Sequence, residues 1–398
     1  MSASVAPAVA ITGLGLVTPL GINLRETWRM ILAGRFITDH GRVPIEPRGT
    51  LPRITQLALL AAREALADAG GGRDWLCDRS SASQSKAEGT ALIVGTSKGT
   101  VETWLTAPLH MCNSAYIVGA WPGLADLASD LARELQLCAG PRMTCSAACA
   151  SGLHALARGV MLLGTGECRR ALVVAAESSL HPLFVGSFHR LGVLADPAVG
   201  CRPFDENRCG FLMSEAAAAV CLEPAADRAH VCGRESPVLI ERVALGSDPT
   251  HITGLDPHGR PLRRLLANVL GNYGVDLVHA HGTATIANDP IELAAIAGSL
   301  RDDCVPAVYS HKAALGHSLG ASGLVSVVLS VRMHEAGLVP GNVRTSRPIS
   351  AGRLHPAPDT QPRHLDRSLV IAAGFGGALA AVTLVSGDAG RRRMAAAC

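Results

Sequence analysis

Aromatic residues are scarce in this sequence, at 3% of 398 residues, which leaves little surface on which nucleic-acid bases stack. Excess charge is scarce too. The net charge is +3, carried overwhelmingly by arginine, too small a bias for a polyanion-binding protein though enough for local basic patches facing an acidic partner. No run of about 18 apolar residues offers a membrane span. The N-terminus lacks the basic region and unbroken apolar core of a secretory signal, and Cys398, as the last residue, does not form a prenylation signal. Twelve cysteines are present, yet none forms a Cys-x-x-Cys pair and no Cys/His spacing fits a zinc site. They read as reduced thiols of a cytoplasmic protein, most of them filling the core.

What is present is apolar and small. Hydrophobic residues make up 48% and charged residues 17%, a composition that packs rather than one that stays disordered. The 42 glycines and many alanines suit close helix-on-sheet packing. At this length two core units are expected, divided here as residues 1–230 and 231–398, with the seam in the polar stretch 224–238. Short β-branched runs alternate with helical patterns, which predicts an α/β protein with sheets covered by helices. Val9–Thr12 reads as a strand opening into a turn at Gly13-Leu-Gly15. Asn23 with Glu26 reads as a capping box, and Ile54–Ala69 as an amphipathic helix. Residues 78–88 read as a polar surface loop, and the arginines at 391–393 as part of a frayed tail. Gly13-Leu-Gly15 lacks the third glycine of a dinucleotide fingerprint, because Thr18-Pro19 intervenes.

An internal repeat is more informative. Ala150-Ser-Gly-Leu153 and Ala321-Ser-Gly-Leu324 each open a helix. Those helices lead to related strands, Ala171–Ala176 and Leu369–Ala373, and an earlier strand recurs as Ala91–Gly95 and Asp276–Ala280. Two such halves around a pseudo-two-fold axis bring the helix starts face to face.

The chemistry-bearing residues lie at these turns. Cys149 sits among small residues in Ser146-Ala-Ala-Cys149-Ala-Ser-Gly152, at a strand-to-helix junction. Unpaired N–H groups and the helix dipole there favour thiolate and can hold an oxyanion. Most of the other cysteines, Cys145 included, read as core residues. His281 follows the strand Leu277–Ala280 at its C-terminal edge, where open α/β sheets place ligand groups. His317, in Lys312-Ala-Ala-Leu-Gly-His317, lies at the helix start equivalent to that of Cys149. His154 and His311 read as satisfied interior histidines. Gly374-Phe375-Gly376-Gly377 follows a strand, where its glycines permit close backbone approach and movement of Phe375.

Together these windows resemble the β-ketoacyl synthases of fatty acid and polyketide synthesis. The resemblance runs from about Val9 to Val385 and rests on six ordered segments. They are Val9–Gly21, Ala148–Gly152, Arg202-Pro-Phe-Asp205 with Arg208 and Gly210-Phe211, His281–Thr285, Lys312 with Gly316-His317, and Gly374–Gly377. It implies the thiolase fold, a five-layered αβαβα sandwich of two related halves. It also implies decarboxylative Claisen condensation. Cys149 accepts an acyl chain from a carrier-protein phosphopantetheine thioester, and His281 and His317 bind the malonyl thioester oxygen and promote loss of carbon dioxide. The backbone N–H groups of Cys149 and Phe375 hold the oxyanion, with Gly374 and Gly376 shaping that loop. Lys312 adds positive potential, Glu292 pairs with it, and Phe375 gates the acyl pocket. No metal or organic cofactor is implied. An acyl carrier protein is the implied partner, and a homodimer the implied assembly. The Cys-His-His set resembles elongating synthases; starter-type synthases carry Asn for the second His.

Departures from the pattern are Ala378-Leu379 where Thr-Asn usually follows, Ser214-Glu215-Ala216 where the family carries Gly-Glu-Gly or Gly-Asp-Gly, and Ser146-Ala147 before the nucleophile. They point to a specialised pathway. The alternative is a non-catalytic, chain-length-factor-like partner of a heterodimeric ketosynthase, against which the retained Cys149 argues. A thioesterase-like or acyl-transferring enzyme on the same fold is a third reading.

Overall fold

The computed structural model describes residues 9–46, 49–70, 75, 89–106, 123–137, 140–225 and 237–387; the polar stretch 78–88 and the arginines at 391–393 lie outside them. The first half runs β1 (Val9–Val17), α1 (Leu24–Leu32), α2 (Arg53–Asp68), β2 (Thr90–Gly95), α3 (Val101–Thr106), α4 (Leu124–Glu134), β3 (Arg142–Cys145), α5 (Ser151–Gly164), β4 (Arg170–Glu177), α6 (Pro182–Arg190) and β5 (Ala216–Pro224). The second runs β6 (Leu239–Ser247), α7 (Arg260–Leu270), β7 (Leu277–His279), α8 (Asn288–Ala297), β8 (Ala307–Tyr309), α9 (Lys312–Leu315), α10 (Ser322–Ala336), β9 (Leu338–Val339), β10 (Gln361–Pro362), β11 (Arg367–Gly374) and β12 (Ala378–Val385).

The strand order β3-β2-β4-β5-β1 of the first half is repeated as β8-β7-β11-β12-β6 in the second. Pairing senses repeat as well: β2 is parallel to β3 and β4, β7 is parallel to β8 and β11, and the remaining pairs are antiparallel. Among the described residues the two five-stranded halves of this ten-stranded sheet join where β1 meets β6, at Val9–Ile240 and Ala10–Leu239. The N–H groups of Leu14 and Leu16 are taken by α2 carboxylates instead, Asp68 and Glu64, each at 2.8 Å. This satisfies an otherwise open strand edge.

Three helical layers sandwich the sheets. Leu57, Leu127 and Leu131 of α2 and α4 cover the outer face of the first sheet. Leu265, Leu266 and Leu293 of α7 and α8 cover that of the second. Between the sheets α5 and α10 pack on each other, and α10 is buried almost all round. A helix buried on every side reads as continuous hydrophobicity. This is the five-layered thiolase fold, with its two related halves.

The two middle helices meet at glycine. A Cβ on Gly152 would sit 2.8 Å from the Leu324 nitrogen, and one on Gly323 would sit 2.9 Å from Leu153 Cγ. The repeated Ala-Ser-Gly-Leu segments are therefore the contact point of the halves, and the small residues exist to permit it. One expectation fails. Gly13 and Gly15 are not a turn but lie inside the nine-residue β1. Their Cβ atoms would fall 2.1 and 1.9 Å from the carbonyl oxygens of Ala65 and Ala61, so the glycines admit α2 against the strand. The Asn23 cap forms, its Oδ1 accepting the Glu26 N–H at 2.8 Å, but the reciprocal half of the expected capping box does not, because the Glu26 carboxylate accepts from the Ile22 N–H instead.

Candidate active site

Cys149 lies two residues before α5, in a turn that Ala148 enters at φ +47. A non-glycine residue in that region costs energy and persists only where its surroundings impose it. Here Ser151 does so: its hydroxyl accepts the Ala147 N–H at 2.9 Å and donates to the Ala148 carbonyl at 2.6 Å. The turn closes directly against Gly374 at the end of β11, where a Cβ would lie 2.6 Å from the Ala147 carbonyl oxygen and 3.2 Å from the Cys149 nitrogen. The next residue, Phe375, has its backbone N–H near enough to favour the Cys149 thiolate, as the weakest of the influences on that thiol.

His281 stands beyond the end of β7. Its carbonyl accepts from Lys312 Nζ, while Glu292 takes the N–H groups of His281 at 2.6 Å and Gly282 at 2.8 Å. Glu292 and Lys312 thus form no direct ion pair; they grip the same turn from its two polar sides, which differs from the expected pairing. Arg208 holds the far end of this loop through the carbonyls of Thr285 and Ile286, at 3.2 and 3.1 Å. His317 is fixed through its main chain, its N–H donating to Leu212 at 2.7 Å and its carbonyl accepting from Ser214 at 3.1 Å.

The His281 and His317 rings are 5.5 Å apart and almost perpendicular. Phe211 packs edge-on against His317 at 4.8 Å. Cys149, His281, His317, Phe188, Phe211 and Phe375 line one cavity. The structure therefore brings the sequence-derived residues together at a single site, with Lys312 fully buried behind it and Gly376 exposed on its rim.

Electrostatics depart from the expectation of a resting thiolate. Burial pushes the Cys149 thiol up to about 11, outweighing the opposing pull of Lys98, Lys312 and the Phe375 N–H. Burial, aided by Lys312, holds His281 and His317 well below the usual imidazole range. Lys312 itself is pushed down to about 8 by burial against the attraction of Glu292. At neutral pH the site holds a thiol beside two neutral imidazoles. Each neutral ring has one donor and one acceptor nitrogen.

Several neighbours were not legible beforehand. His311 is the satisfied interior histidine the sequence suggests, but its partner is new: it pairs with buried His279 at 3.0 Å, which is anchored to Ser330 of α10 at 3.0 Å. Glu215, the acidic residue kept between the departures Ser214 and Ala216, is half of a buried ion pair with Arg53 at 2.7 Å. The loop after Phe375, where Ala378-Leu379 replace polar residues, is held by main-chain bonds from Asp248 to Gly377 and from Gly376 to Ile252. Among the described residues there is no cluster of His, Cys, Asp or Glu that could hold a metal ion, and no helix long and apolar enough to cross a membrane.

Comparison with known proteins agrees with this geometry. Residues 36–228 match the β-ketoacyl synthase N-terminal domain, and residues 238–346 match the C-terminal domain of the same family. The tetracenomycin polyketide synthase ketoacyl synthase alpha subunit of Streptomyces glaucescens is 29% identical over 94% of this chain and 96% of its own length. The 3-oxoacyl-[acyl-carrier-protein] synthase 2 of Coxiella burnetii is 26% identical over 93% and 96%. A solved type II polyketide ketosynthase in complex with its acyl-carrier protein superposes with a TM-score of 0.79 at 21% identity, over 96% of this chain and 99% of that one. The chain belongs to the β-ketoacyl synthase family.

Proposed function

We propose that this protein condenses an acyl group held on Cys149 with a malonyl thioester delivered by an acyl carrier protein, extending the chain by two carbons. The observation that carries the reading is the convergence of Cys149, Phe375 and the His281 and His317 rings, 5.5 Å apart, on one cavity.

The Cys149 sulfur attacks the donor thioester. Its acyl–sulfur bond forms as the donor's breaks, and the proton leaves with the donor thiol. The tetrahedral oxyanion lies between the Cys149 and Phe375 N–H groups, which are fixed in advance by the turn and by Gly374. A malonyl thioester then enters. Donation from His281 and His317 to its carbonyl oxygen stabilises the enolate charge that develops as carbon dioxide departs. Neutral rings suit this, since each donates one N–H without having to be charged. The resulting carbon nucleophile attacks the acyl-Cys149 carbonyl, the same oxyanion site is used again, and the carbon–carbon bond is completed as the acyl–sulfur bond breaks, releasing Cys149 as a thiolate that regains a proton. Lys312 and Glu292 position the His281 turn, and Phe375 stands between the acyl and malonyl sides.

The reading needs no metal or organic cofactor. It takes a separate carrier protein, a cytoplasmic setting and a homodimer as the working assembly, in a specialised pathway. Incubating the purified protein with acyl- and malonyl-carrier proteins and following intact mass tests it: a two-carbon ketone extension that vanishes in Cys149→Ala is expected. Absence of both acylation and extension would instead favour the non-catalytic partner reading.

A further inference from the structure

Lysine is rare here, three residues against 33 arginines. Two of the three, Lys98 and Lys312, act on Cys149. Lys312 is accounted for by the His281 turn; Lys98 is not. It lies half-buried in the loop after β2, with its Nζ 5.2 Å from the Phe184 ring centroid and 5.5 Å from that of Phe188. Phe188 also lines the Cys149 cavity and packs against Phe375 at 6.2 Å. An ammonium carries three N–H donors. The one hydrogen bond of Lys98 among the described residues goes to Ser97 Oγ at 3.0 Å, and no described carboxylate pairs with it. The nearby Glu177 is already engaged by the Ser97 N–H and hydroxyl, by Ser179 and by Gly320.

A cation with one hydrogen bond among the described residues, set over Phe184 and the cavity-lining Phe188, is a poor neighbour for alkane. A saturated chain laid along Phe184 and Phe188 strips water from the ammonium and returns nothing. A chain bearing oxygen acceptors replaces that water, and the rings keep the charge oriented. We propose that Lys98 is a specificity-determining residue that selects oxygen-bearing acyl chains, with β-keto or carboxylate oxygens, over saturated alkyl chains for transfer to Cys149. The inference rests on the acyl-Cys149 reading above and deepens it by naming the substrate class.

The test is the rate of Cys149 acylation, by intact mass, from hexanoyl, β-ketohexanoyl and glutaryl N-acetylcysteamine thioesters. In each, the donor's acyl–sulfur bond is exchanged for one to Cys149. The wild-type chain is expected to favour one or both oxygenated donors over hexanoyl by about 10-fold or more. The stronger of the two arms names keto or carboxylate recognition. Lys98→Met is expected to bring that ratio near unity, and Lys98→Arg to keep most of it. A wild-type preference for hexanoyl overturns the proposal whether or not the variants fold, and so does an unchanged ratio in a folded Lys98→Met. If no thioester labels Cys149 while iodoacetamide does, the acyl-Cys149 reading itself falls.

Discussion

The two halves begin their central helices with the same four residues and do opposite things with them. Aligning Ala150–Leu153 with Ala321–Leu324 sets Cys149 against Gly320 and Ala148 against Leu319. Both flanking residues are left-handed, at φ +47 and +42. The strands that end beside these turns also correspond, β4 closing with Glu177 and β11 with Gly374. In the second half the helix start is filled from within: the Glu177 carboxylate accepts the Gly320 N–H at 3.2 Å. In the first half glycine stands where that glutamate would be, and among the described residues nothing accepts the Cys149 N–H, as the proposed oxyanion role requires. A helix N-terminus attracts an anion in either case. One half satisfies it from within its own fold; the other leaves it open, where the proposed mechanism places its oxyanion.

The comparison is broken most sharply by Gly374→Glu, which recreates the Glu177 arrangement at the nucleophile. Cys149 acylation should fall by at least about 10³-fold. Gly374→Ala, whose methyl approaches the Ala147 carbonyl and the Cys149 nitrogen, should cost about 10²-fold, the scale of a lost oxyanion donor. Acid stability sharpens the contrast between halves. The second half buries His279, His281, His311 and His317, all held well below the usual imidazole range by burial. The unfolded chain binds those protons and the folded chain does not, so stability is present above about pH 6.5 and lost as pH falls. Each ring that stays neutral in the folded chain while it is protonated in the unfolded one adds about 1.4 kcal/mol per pH unit to that loss. Replacing His279 with Asn and His311 with Ser should remove roughly half of the four rings' contribution, read by chemical denaturation across pH. Gly320→Ala, whose Cβ would lie 2.4 Å from the Ser97 nitrogen, should destabilise by about 1–3 kcal/mol. Far from the seam, Asn23→Ala should cost only about 1 kcal/mol through the lost α1 cap.

Much of this site was legible because the chemistry sits where local sequence changes character. Cys149, His281, His317 and Phe375 all follow the end of a strand or precede a helix, among small residues that announce close approach. The repeat then stated which turns would meet. What could not be read was set by tertiary neighbours. Gly13 and Gly15 look like a turn until α2 lies against β1. Glu292 and Lys312 look like partners until the main chain of His281 comes between them. A helix start promises a thiolate, yet burial overrules it at Cys149. The His279–His311 pair needs two strand ends and α10 to exist. Lys98 offered one signal, the rarity of lysine, and its meaning appears only beside Phe184 and Phe188.

The most direct test of this division of labour is to measure Cys149 acylation and carbon dioxide release from malonyl-carrier protein separately, in Cys149→Ala and in His317→Ala. The account predicts that Cys149→Ala loses acylation but still releases carbon dioxide, whereas His317→Ala is still acylated but releases carbon dioxide about 10²-fold more slowly. Loss of both activities in each variant, or unimpaired decarboxylation without His317, would contradict it.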